Sequence, residues 1–108
     1  MPGQAGTVAA EPENWGTIPV EDLVALLEAT TRRLQQALET LAVERAHYWR
    51  SYWGHWQKLT PTASVAAKTR ECERECAGRN EHVVVGEGVA ESLRAKRDGL
   101  VAALGVRA

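Results

Sequence analysis

Phenylalanine is absent from this sequence and methionine occurs once, while leucine, valine and alanine dominate the apolar residues. That bias leans toward helices rather than a sheet. No stretch approaches the roughly 20 consecutive apolar residues of a membrane span, and the first residues lack a basic segment followed by an apolar run, so neither a membrane anchor nor a secretory signal is expected. The expected address is cytoplasmic. There the two cysteines, Cys72 and Cys76, are not expected to form a stable disulfide. Strong charge of one sign is also missing, since the formal net charge is −1. This is far from the basic excess of a nonspecific DNA binder. The charge is unevenly spread, however: Glu11, Glu13, Glu21, Asp22 and Glu28 come before any Lys or Arg.

Hydrophobic residues make up 44% of the 108 positions, an ordinary globular share that speaks against wholesale disorder and limits the chain to one small domain. Residues 1–16 hold Pro2, Gly3, Gly6, Pro12 and Gly16 with little apolar content. They read as a flexible acidic tail in which Trp15 is an anchor that docks on the folded part.

A helical domain is predicted over residues 17–108. Thr17 suits an N-cap, Pro19 a first turn, and Glu21 with Asp22 the positive end of the helix dipole. Val20, Leu27, Leu34, Leu41 and Tyr48 then recur at sevens, with Val24, Thr31, Leu38, Arg45 and Tyr52 four positions later. This predicts one helix over about residues 19–59, roughly 60 Å long at 1.5 Å per residue. Thr60-Pro61 ends it, residues 60–64 form the turn, and Thr62 or Ser64 can cap a second helix. Over about 65–104 the series Val65, Cys72, Arg79, Gly86, Leu93, Leu100 and its companion Thr69, Cys76, Val83, Ala90, Arg97, Leu104 keep the same phase. Gly78, Gly86, Gly88 and the run Val83-Val84-Val85 lower helix propensity between 78 and 88. The second helix is therefore continuous or kinked, or else broken at Gly78-Arg79-Asn80 with an extended segment and a separate helix from about Val89. The expected fold is an all-α antiparallel two-helix hairpin.

The segment Val43–Leu59 carries five of the six aromatic residues, Tyr48, Trp49, Tyr52, Trp53 and Trp56. At helical spacing Tyr48, Tyr52 and Trp56 form one ladder and Trp49 with Trp53 another beside it. Two helices side by side bury one stripe each, so the rings are expected to face water unless a second copy or another protein covers them. Pairing of two hairpins into a four-helix bundle meets that need. The function expected is therefore that of a non-enzymatic, self-associating interaction protein with no cofactor. An alternative places bases on the same rings and phosphates on the interleaved Arg45, Arg50 and Lys58, as in a single-strand nucleic-acid accessory protein. A third reading folds the hairpin about Thr62, sets Cys76 near His47 and Cys72 near Ser51, and lets Cys72, Cys76 and His47 hold zinc. Cysteines at seam positions otherwise read as small buried hydrophobes. Catalysis is not expected: Gly86-Glu87-Gly88 lacks the rest of a phosphate loop, and no Ser/His/Asp grouping stands at a recognisable spacing. Although Glu44, Glu71, Glu73 and Glu75 offer carboxylates for a metal, the paired Glu-x-x-His motifs of di-iron bundles are missing, Glu44-Arg45-Ala46-His47 being a single copy.

Ser64-Val65-Ala66-Ala67-Lys68-Thr69-Arg70-Glu71-Cys72-Glu73 follows the aromatic helix and precedes Val89-Ala90-Glu91-Ser92-Leu93-Arg94 and a Leu-rich end. Over about residues 20–104 this resembles small helical proteins of unassigned function encoded by phages of actinobacteria. The resemblance implies a phage or prophage accessory protein in the host cytoplasm, with another phage or host protein as a conceivable partner, and supplies no catalytic or ligand residues. The glycines and Val83-Val84-Val85 depart from it where such proteins are plainly helical.

Overall fold

The computed structural model describes residues 15–107; the acidic tail expected over 1–16 lies outside these except for its last two positions. Among the described residues there are three α-helices and no strand: α1 (Val20–Trp56), α2 (Val65–Glu75) and α3 (Ala77–Arg107), preceded by a single 3-10 turn at Trp15–Thr17. No helix is long and apolar enough to cross a membrane among these residues. The chain falls into two compact units, one made of the residues up to Gln36 with those from Ala90 onward, the other of Ala37–Val89.

In the first unit, Trp15, Leu23 and Leu100 form a buried core, with Ile18, Leu26, Leu27, Ala103 and Leu104 packed around it. The tail tryptophan thus docks, at 5% exposure. Gly99 makes room for it, because a methyl group at that position would collide with the indole ring. The Trp15 carbonyl accepts from the Ile18 amide at 3.3 Å, so Thr17 sits inside a turn. At the start of α1 the Pro19 carbonyl accepts the amides of Asp22 and Leu23, each at 3.0 Å. Glu21 and Asp22 lie in the first turn of α1, as the dipole favours.

The seam of α1 differs from the one predicted. Leu34 and Leu41 are buried and Leu27 and Tyr48 half-buried, but Val20, Val24 and Leu38 are 42%, 40% and 38% exposed, and Thr31 and Arg45 are exposed as well. In their place Leu23 and Thr30 are buried and Ala37 and Glu44 half-buried. Leu23 and Leu34, and likewise Thr30, Leu41 and Tyr52, are spaced by eleven rather than seven. Eleven residues make three turns of 3.67, close to the 3.6 of an undistorted helix, whereas a strict heptad demands supercoiling.

α1 ends at Trp56, short of the expected 59, as the amides of Lys58 and Leu59 bond to the carbonyls of His55 and Trp56 at 3.0 and 3.1 Å and tighten the last turn. A turn centred on Pro61 follows, closed by the Ala63 amide on the Thr60 carbonyl at 3.0 Å. Ser64 then caps α2, its hydroxyl accepting from the Ala67 amide at 3.1 Å.

The second helical run is interrupted at Cys76, which has φ −101° and ψ 11°. The backbone bonds survive on both sides: the Cys76 amide reaches the Cys72 carbonyl at 3.0 Å, and the Asn80 amide reaches the Cys76 carbonyl at 2.9 Å. The result is a kink of one residue. Residues 78–88 are helical throughout, which overturns both the break at Gly78-Arg79-Asn80 and the separate helix from Val89. Packing outweighs propensity here. Val83 and Ala90 are buried, and Gly86 lets α1 approach so closely that a methyl group there would lie 3.2 Å from Leu41 Cδ1. Gly86, Leu93, Arg97 and Leu104 are half-buried as expected, whereas Val65 and Arg79 are exposed.

Candidate interaction face

In the unit Ala37–Val89, the five rings of α1 divide into two rows. Tyr52 is buried with Cys72 and Cys76, and Tyr48, Trp56 and Leu59 pack against that cluster. One ladder is therefore covered within a single chain, contrary to the expectation that all the rings face water. The other is not: Trp49 and Trp53 remain 47% and 50% exposed. They stack on each other with centroids 6.1 Å apart and planes inclined by 21°. Each also meets Tyr52 edge to face, at 5.2 Å for Trp49 and 5.1 Å for Trp53. Trp53 meets Trp56 in the same way at 5.4 Å. Such pairs contribute about 0.5–1.5 kcal/mol each beyond area burial, so the outward indoles are held by the inward ladder. Leu38, eleven positions before Trp49, lies on the same flank and is also exposed. Lys68 caps the inner ladder, its Nζ 5.4 Å from the centre of the Trp56 ring.

Of the cations proposed as phosphate contacts, Arg45 stands four residues before Trp49 and Arg50 three before Trp53, on or beside the outward row of α1. Arg45 is paired with Glu87 at 2.9 Å. Arg50 lines a shallow cavity together with His47, Ser51 and Arg79. Lys58 is exposed in the turn after α1. A stacking platform needs charges that track one strand past the rings, and the Glu87 carboxylate competes with a phosphate for Arg45.

Cys72 and Cys76 are free thiols buried under the inner ladder. Burial pushes the Cys72 thiol up, Cys76 and Glu71 add to that, and Lys68 opposes it. A protonated, enclosed thiol is a poor ligand and a poor nucleophile. Burial likewise raises the Tyr48 hydroxyl, with Cys76 next in effect. The zinc set expected at Cys72, Cys76 and His47 is not assembled: among the described residues, the group with metal-binding geometry is His55, Glu71 and Glu75. The reason is the direction in which His47 faces. Cys72 and Cys76 pack on Tyr52, with Tyr48 against them, within a residue of the positions a fold about Thr62 gives them, but His47 lies on the exposed side of α1 and does not face the thiols. Of the carboxylates Glu44, Glu71, Glu73 and Glu75, the structure brings Glu71 and Glu75, one turn apart on α2, to His55 at the end of α1, a companion that spacing within either helix does not reveal.

No protein-family model, curated protein or solved structure matches the chain.

Proposed function

We propose that this chain is a non-enzymatic interaction protein that associates with a second copy of itself through Trp49, Trp53 and Leu38. The observation that carries the reading is the stacked, half-exposed pair Trp49 and Trp53. A single chain covers the adjacent ladder and holds this one rigidly toward solvent. Rigid aromatic side chains are the usual anchors of protein interfaces, because little conformational entropy is lost when they are covered. A second copy offers the same stacked row, so a two-fold contact sets like against like. Leu41 against Gly86, and Tyr52 against Cys72 and Cys76, join rising positions on α1 to falling positions beyond the turn. This supports an antiparallel hairpin, and two hairpins joined on their outward rows make a four-helix bundle. The resemblance to helical phage proteins supports an accessory role in a host cytoplasm.

Sedimentation over a wide concentration range tests the reading. A dimer that becomes monomeric on Trp49→Ala/Trp53→Ala, with helical circular dichroism retained, is the expected result. A compact monomer at the highest concentration overturns it. So does tight binding of labelled single strands at low salt by a chain that stays monomeric, since phosphate contacts are strongest there.

A further inference from the structure

We propose that His55, Glu71 and Glu75 bind one divalent transition-metal ion of the zinc class. His55 stands in the last turn of α1, and Glu71 and Glu75 lie one turn apart on α2. One ligand atom from each lies within 4.8 Å of the others. In a tetrahedral zinc site the ligand atoms stand about 3.3 Å apart, so small side-chain rotations close the set. A separate observation concerns the imidazole itself: its Nε2 is sealed from solvent and has no hydrogen-bond partner. A buried polar nitrogen left in that state is costly, and a metal ion would satisfy it.

The carboxylates are at present held by Arg74, which bonds Glu71 and reaches Glu75 at 3.2 Å. The Arg74 side chain is 65% exposed. Exposed pairs of this kind are weak and screened by salt, so the guanidinium can turn to water and leave two negative charges facing a cation. One imidazole nitrogen and two carboxylate oxygens suit zinc, cobalt and nickel. Magnesium and calcium take sets made of oxygen. Water completes the coordination. The ion would clamp α1 to α2 across the turn at Pro61 and stabilise the fold, because the unfolded chain holds no preformed site. The site is separate from the outward tryptophans and uses neither thiol.

Protein stripped with a chelator and titrated with ZnCl2 by calorimetry, and with CoCl2 by visible absorption, tests the proposal. One ion per chain is expected, with a melting temperature that rises with zinc and does not respond to magnesium or calcium. The cobalt spectrum should lack a thiolate charge-transfer band. His55→Ala and Glu75→Gln should each weaken binding at least tenfold, while the exposed His47→Ala leaves it unchanged. Glu75 is exposed, so its variant keeps the test valid should His55→Ala fail to fold. Absence of saturable zinc binding overturns the proposal, as does binding that survives Glu75→Gln or that shows a thiolate band.

Discussion

Around Leu23 and Leu100 the chain closes completely over its ring: Trp15 is 5% exposed and fits a space kept open by Gly99. Around Cys72 it closes over Tyr52 but leaves Trp49 and Trp53 half exposed, with 7% exposure for the former against 47% and 50% for the latter. Both regions pair large rings with small residues, glycine in one and cysteine in the other. What differs is the number of rings per helix face. One indole per core can be accommodated by one neighbouring helix, whereas two adjacent ladders present a stripe wider than a single partner covers. The same apolar chemistry therefore stabilises the fold in one unit and leaves a surface for a partner in the other.

The comparison breaks most visibly at Trp15. Trp15→Ala removes a fully covered ring and is expected to cost about 3–5 kcal/mol in urea unfolding, whereas Trp49→Ala or Trp53→Ala, measured at concentrations where the chain is monomeric, should cost about 1 kcal/mol. Gly99→Leu, which fills the space Trp15 occupies, should cost about 1–3 kcal/mol or expel the ring, seen as a red shift of its fluorescence. Within α3, the glycines separate by what lies beside them. Gly88 has nothing within 4 Å of an added methyl group, so Gly88→Ala should stabilise by about 0.5–1 kcal/mol. At Gly86 the methyl group would press on Leu41, and Gly86→Ala should forfeit most of that gain in the same thermal-melt series. The smallest effect concerns alkaline pH. The Tyr48 hydroxyl is raised above its ordinary value of 10.0 by burial. The folded state thus holds its proton more tightly than the unfolded one, and its contribution is intact below pH 10 and lost as pH rises beyond it. Tyr48→Phe should flatten the stability curve in that range.

Much of this architecture is written in local chemistry. The Thr60-Pro61 stop, the Ser64 cap and the acidic first turn of α1 each follow from one or two residues, and the structure uses all three. Docking of Trp15 follows from the preference of a large ring for burial. The phase of α1 is harder to read, because the series at seven and the series at eleven share Leu34, Leu41 and Tyr52 and part at Leu23 and Thr30, which are buried, and at Val20, Val24 and Leu38, which are not. The site of the kink was not legible either. Propensity points to Gly78, Gly86 and Gly88, but contacts with α1 keep that stretch helical, and the interruption falls at Cys76, beside Cys72 under Tyr52. Which ladder faces inward, and which carboxylates meet His55, depends on helix register. Register is set by the fit of Tyr52 on the two cysteines and of Leu41 on Gly86, and no local motif encodes it.

Hydroxyl-radical footprinting read by mass spectrometry, across a dilution series, probes the uncovered row most directly. Trp49 and Trp53 should oxidise readily in dilute protein and become protected together as concentration rises, with Trp15 protected throughout. Equal oxidation of Trp49 and Trp53 at every concentration, up to the limit of solubility, would contradict the proposal that a second copy covers them.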